Sequence, residues 1–280
     1  MNKHIIKAIA VKDIKSIFSS KKVWIPMVIL SFILCIACPG VITYVGIHTD
    51  LLNQPSEDIE KPIQAVIEQF PAEEMRNTLS ELPTLGSKFV YYFMHFMLIP
   101  LFLMTATIHS MVTASNSFAG EKERKTLETL LFSPISVYDL FLGKVLASLI
   151  PTLFMTYCSF IINMAVVNLM ANKAFDSLLF LDAGWMVFMF WVIPAVVLFN
   201  ILLNILVSAR VKSFQEAQQF GGIMILPVVG IIISQASGLF FLSPFILFLI
   251  GTGLFIGNAL LLRFITRFNQ RNALFESQIH

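Results

Sequence analysis

Eight charged side chains lie between Glu121 and Lys144, four of each sign: Glu121, Lys122, Glu123, Arg124, Lys125, Glu128, Asp139 and Lys144. Mixed charge at this density suits ion pairing and docking against another polar surface. It supplies no nucleophile and no phosphate cradle. The polar groups elsewhere are milder. His95, His109, Asn163, Asn168, Asn200 and Asn204 all sit in long uncharged runs. Asn200 and Asn204 are four apart and so share one helix face. Such groups make hydrogen bonds between membrane helices or line a path for a solute; His95, Asn163, Asn200 and Asn204 are the candidates for a path. Motifs for other chemistry do not occur in the sequence: no His-Glu-x-x-His, no Gly-x-Ser-x-Gly and no glycine-rich loop ending in Gly-Lys-Ser/Thr. The chain is therefore expected not to be an enzyme, to hold no metal or other cofactor of its own, and to bind no nucleic acid.

The elements that must hold these groups are membrane spans. The chain is 57% hydrophobic and 13% charged, with a mean hydropathy of +0.80, whereas soluble domains carry about 25% charged residues. Lys, Arg, Asp and Glu are missing from 23–49, 89–120, 145–172, 183–209 and 217–262. About 20 apolar residues cross a bilayer core. The last run is 46 residues long, enough for two crossings, with turn-forming residues at 234–238 and 243–244 marking the break. The expected fold is an all-α integral membrane protein with six transmembrane helices. A cytoplasmic segment 1–22 precedes the membrane domain 23–264, and a tail 265–280 follows it. Within the membrane domain, 50–88 is a long loop outside and 120–144 is the charged island.

Orientation follows from the loop cations. Fifteen Lys and Arg fall in the N-terminal segment, the island, 210–216 and the tail, against four on the opposite side: Lys61, Arg76, Lys88 and Lys173. Both termini and the island are expected in the cytoplasm. The loop 50–88 carries eight acidic and three basic residues; its acidity reads as a solvated face. The first 40 residues do not read as a cleaved signal peptide, because the basic leader and the apolar stretch are both too long. Cys35 and Cys38 only faintly resemble a lipoprotein box. All three cysteines, including Cys158, fall in spans, so no disulfide framework is expected.

Residues 1–22 read as an interfacial amphipathic helix. Ile6, Ile9, Ala10, Ile14 and Ile17 share one side, and Lys3, Lys7, Lys12 and Lys15 could meet anionic lipid headgroups. Asp13 interrupts the apolar stripe. In the outer loop 63–70 and 73–82 are expected as short helices. Within the island, 121–132 is rich in helix formers and lacks Gly and Pro. Ser133-Pro134 stops that helix, and Ser136 can cap the next one, with Asp139 three residues on. Gly221, Gly222, Pro227 and Gly230 in the fifth span permit bending and close packing.

The island resembles the signature of type-2 ABC exporter permeases. The matching residues are Glu121, Glu123, Thr126, Leu127, Glu128, Leu130, Leu131, Pro134 and Ser136, then Gly143 and Lys144, with Glu216 to Gln218 a second match at the fifth span. The layout agrees over nearly the whole chain, and the long first outer loop looks like the NatB-like branch. This resemblance implies a prokaryotic cytoplasmic (plasma) membrane permease that works as a dimer, with a second copy or a paralogue. It also implies a separate cytoplasmic ATPase subunit that binds ATP and Mg. The helix 121–132 would then be the coupling element, with Glu121, Glu123, Arg124 and Glu128 in polar contact with the ATPase and Leu127 and Leu131 as its apolar anchor. A second possibility keeps the permease fold for an immunity or sensory partner that carries no substrate. The cargo is not specified, although apolar spans with sparse Asn, Ser and Thr suit an amphipathic molecule better than a charged polymer.

Overall fold

The computed structural model describes residues 2–54, 57–123, 136–172, 174–175, 178–211 and 213–268. Among these residues every regular element is helical. Six helices are long and apolar enough to cross a membrane: Lys21–His48, Leu85–Glu123, Tyr138–Ala171, Ala183–Ser208, Phe214–Ala236 and Pro244–Ile265. They are spans 1 to 6 below, and they make the chain a multi-pass, all-α membrane protein. The 46-residue run divides between Ala236 and Pro244, where Gly238 takes φ +72°, a conformation open to glycine at little cost. Much of the island, 124–135, lies outside the described residues, as does the C-terminal tail from 269.

Proline shapes three of the spans. Spans 1, 2 and 4 each contain a π-helical turn, Phe32–Ala37, Phe93–Met97 and Phe188–Val192, followed within three residues by Pro39, Pro100 or Pro194. A proline has no N–H to give its helix, and a π turn shifts the hydrogen-bond register around it. In span 4 the consequence is explicit. The Ile193 N–H donates five residues back to the Phe188 carbonyl. Pro194, next in line, cannot serve Met189, whose carbonyl instead accepts from the Tyr157 hydroxyl of span 3 at 3.1 Å. A backbone defect thereby becomes a bond between spans.

Span 2 is the most buried of the six, and spans 5 and 6 are the least. Hydrogen bonds radiate from span 2 to four other spans. Toward span 1, His109 Nε2 donates to the Met27 carbonyl at 3.0 Å with the Ser31 hydroxyl at 3.2 Å, and Cys35 donates to Thr105. Thr113 meets Thr152 and the Ser148 carbonyl of span 3 at 3.1 and 3.3 Å. Asn200 of span 4 donates to Thr107, and Ser115 donates to Asn204. The Tyr92 hydroxyl donates to the Gln235 carbonyl of span 5. Around these rungs the packing is aromatic. Buried Trp185 lies 5.8 Å from Phe102, 5.4 Å from Phe160 and 5.1 Å from Phe180, measured between ring centres.

The loop after span 1 forms a cap of two helices, Glu57–Gln69 and Glu73–Glu81. The first begins earlier than the pattern 63–70 suggests. Glu57, Asp58 and Glu60 occupy its first turn, where negative charge favours a helix start, and Pro62 is tolerated one turn in. Ile63, Val66, Phe70 and Leu79 belong to the main core, so the cap is part of the bundle. Phe70 packs edge-on against Phe96 of span 2 at 5.0 Å. Spans 1 and 2 cross beneath the cap at Gly46 and Gly86, where a Cβ on either would collide with the other's backbone.

The N-terminal helix, Lys3–Ser19, is capped by Asn2. Its buried stripe is Ile6, Ile9, Ala10, Asp13 and Ile17, and it lies along the first part of the helix Val137–Ala171 that forms span 3. Ile14, expected within the stripe, is only half-buried, and Asp13 takes the inward position. The apolar face therefore packs on protein, while Lys3, Lys7 and Lys15 stay exposed.

Candidate functional site

The described start of the island is a junction of several elements. The short helix Ala119–Glu123 ends span 2, and each of its last three residues bonds to a neighbouring element. Glu121 faces inward. Its carboxylate accepts from Lys144 Nζ of span 3 at 2.5 Å and from Lys12 of the N-terminal helix at 2.6 Å. Lys122 donates to the Val211 carbonyl at 2.8 Å, and Glu123 accepts from the Phe214 N–H at 2.9 Å. Both of these contacts reach the connection into span 5, where the helix Phe214–Gly221 starts with Ser213 as its cap. Glu216 lies on the exposed side of that first turn, its N–H donating to Ser213.

Lys144 is the centre of the junction. It is 1% exposed, with Asp13 at 3% and Glu121 at 5%. A buried ammonium needs its charge paired and its three N–H bonds used. Here it donates to the Glu121 carboxylate, to the Ser117 carbonyl at 2.6 Å and to the Asp13 carboxylate at 3.3 Å. Asp13 in turn accepts from the Ser117 hydroxyl at 2.8 Å. Lys12 adds the second cation, 3.3 Å from Asp13, so two carboxylates face two ammonium groups. Burial pulls the Lys12 pKa down, but the hydrogen bond and charge of Glu121, with Asp13 behind it, outweigh burial and leave it raised.

Gly143 explains why the glycine precedes the lysine. A Cβ there would lie 2.8 Å from Ile9, so a larger residue would push the N-terminal helix off span 3 and separate Asp13 from Lys144. Ser136 caps the span 3 helix, its Oγ accepting from the Asp139 N–H at 3.1 Å. Asp139 then accepts from the Asn2 N–H at the start of the N-terminal helix. Of the island residues named from sequence, Glu121, Glu123, Ser136, Gly143, Lys144 and Glu216 are described, and the first five gather where spans 2 and 3 meet the N-terminal helix and the span 5 connection. Arg124, Thr126, Leu127, Glu128, Leu131 and Pro134 lie outside the described residues. The residue that sequence reasoning undervalued is Asp13. Its signal was present: a carboxylate interrupting an otherwise apolar stripe.

Of the four candidates for a solute path, Asn200 and Asn204 lie together and His95 lies apart from them. Asn200 and Asn204 lie on the seam between spans 2 and 4, bonded to Thr107 and Ser115. His95 is 12 residues before Thr107 on span 2, about 18 Å along the helix. Its Nδ1–H donates to the Tyr91 carbonyl at 2.9 Å, and its Nε2 lies 3.3 Å from Asp182, the cap of span 4. That last contact is an ion pair only when the imidazole is protonated, and Asp182 Oδ2 accepts no hydrogen bond among the described residues. Burial pushes the Asp182 pKa up, but His95 and the backbone N–H groups of Trp185 and Gly184 outweigh it and hold the carboxyl below its ordinary value. Asn163 is buried in span 3 with neither amide atom bonded among the described residues.

A family model described as ABC-2 family transporter protein matches residues 7–263. The match includes every member of the buried ion cluster. No curated protein and no solved structure matches the chain.

Proposed function

The chain belongs to the ABC-2 family of transporter proteins, and on that premise we propose that it is the permease subunit of an ATP-driven exporter. In this reading the chain is no enzyme: a separate cytoplasmic ATPase binds ATP and Mg and supplies the energy. The island helix 121–132 seats in that ATPase, with Leu127 and Leu131 as its apolar anchor. A second copy or a paralogue completes the transport unit, and the exposed Lys3, Lys7 and Lys15 of the N-terminal helix meet anionic lipid. The island and both termini are cytoplasmic, as the excess of loop cations favours.

The observation that carries this reading is the set of bonds made by Glu121, Lys122 and Glu123. They tie the root of the island to the N-terminal helix, to span 3 and to the entry of span 5. A helix so rooted cannot move without displacing spans. That is the mechanical requirement for turning an ATPase stroke into a change of access across the membrane.

Affinity purification of the tagged chain from its native membrane tests the partnership. The expected result is co-purification of one ATPase whose hydrolysis is blocked by vanadate, together with a second permease chain. Recovery of the chain with no ATPase under conditions that keep it folded would sink the proposal and leave the immunity or sensory reading.

A further inference from the structure

Ion pairs and hydrogen bonds hold only at one distance and direction, whereas apolar side chains slide past one another at little cost. This difference gives the buried cluster a mechanical meaning. The N-terminal helix already has an apolar stripe on span 3: Ile6, Ile9 and Ala10 beside Gly143, with Ile17 joining Met27 and Met155 further along. Burying charges adds a desolvation cost that a purely apolar contact would avoid. What the charges add is register. Asp13 can reach Lys144 and Ser117 in one axial and rotational setting only, and Lys12, its neighbour, reaches Glu121 in that same setting.

We propose that Asp13 is a positioning residue that, through Lys144, Ser117 and Glu121, locks the N-terminal helix, the end of span 2 and the start of span 3 into one rigid body. Its significance for transport rests on the coupling reading above: a thrust on the island then moves the N-terminal helix as well as the two spans. The contacts are specific enough to say where the lock sits. Span 2 contributes Ser117 and Glu121, one helical turn apart; span 3 contributes Lys144; and the N-terminal helix contributes Lys12 and Asp13. Every one of these residues bonds to at least one of the other two elements. The Phe118 ring, 5.3 Å from the Lys144 ammonium, adds a cation–π contact.

The test is a spin-label distance between Ala8→Cys and Tyr138→Cys, both exposed, in a background without Cys35, Cys38 and Cys158. Measured in nanodiscs, the pair needs no ATPase. The expected result is one narrow distance that broadens in Asp13→Asn and is restored in Asp13→Glu. In the complex with its ATPase the distance stays the same with and without vanadate-trapped ATP. Asp13→Asn leaves the ATPase bound but lowers stimulated hydrolysis roughly ten-fold. An Asp13→Asn distribution as narrow as that of the parent, or a parent distance that shifts on ATP trapping, overturns the lock. Full stimulation in Asp13→Asn, with Leu127→Asp inactive, overturns its role in coupling but spares the island reading. Full stimulation in Leu127→Asp removes the island reading, while the nanodisc distances still decide the lock.

Discussion

Lys144 shows how a single side chain can be both structural and informative. Its ammonium is saturated by two carboxylates and a carbonyl, so replacing it by Met leaves Asp13 and Glu121 facing each other with only Lys12 between them. Removing one partner of a buried ion pair costs about 3–5 kcal/mol, and Lys144→Met is expected to lower the thermal midpoint in detergent accordingly. Lys144→Met combined with Asp13→Asn should cost less than the sum of the two single changes. Glu121→Arg would place a third cation beside Lys12 and Lys144, so it reports on this cluster before it reports on any docking surface. At the other end of the bundle, the Asp182 carboxyl is held below the ordinary aspartate value of about 3.9. Its stabilising effect is therefore fully present above that pH and is lost as pH falls through the lower, folded value. Acid unfolding followed by tryptophan fluorescence should show this loss below about pH 4 in the parent. Asp182→Asn should remove that part of the slope; equal slopes would contradict the role given to His95.

At the scale of the element, span 2 is a hub because its polar residues are spread around its circumference. His109 and Thr105 face span 1, Thr113 faces span 3, Thr107 and Ser115 face span 4, and Tyr92 reaches span 5. The span existed in the sequence as an uncharged run, and its histidines and threonines were visible there. Their partners were not, because a rung depends on which helix lies opposite. The island illustrates the same limit. Composition marks it as a charged helix outside the bilayer, but the inward turn of Glu121 follows from the approach of Gly143 to Ile9, two residues 134 positions apart. Asp13 looked like a flaw in an amphipathic pattern for the same reason. The π turns add a third case: Pro194 is plain in the sequence, but the use by Tyr157 of the Met189 carbonyl, which Pro194 cannot serve, is a tertiary fact. Tyr157→Phe should cost about 1 kcal/mol in unfolding free energy, the usual value of such a bond. No change in stability would mean that water serves the Met189 carbonyl as well as the hydroxyl does.

For the whole molecule, six spans and an all-helical fold were legible because a bilayer demands long uncharged helices, and uncharged runs are easy to read. The cap was legible only in part. Its acidic, proline-punctuated composition marks a polar loop, but Ile63, Val66, Phe70 and Leu79 bury it in the main core. The orientation of the bundle makes a separate expectation. In a background without native cysteines, Ser80→Cys on the cap should react with an impermeant maleimide in intact cells, and Ser16→Cys on the N-terminal helix only after lysis. The reverse pattern would put the island on the wrong side for a cytoplasmic ATPase. With the orientation established, one assay addresses the island as the driven element: ATP hydrolysis by the partner ATPase bound to the chain, compared with its complex bearing Leu127→Asp. The parent chain should stimulate hydrolysis, and the substitution, with the bundle still folded, should remove about nine-tenths of that stimulation. Undiminished stimulation with Leu127→Asp would contradict the coupling account.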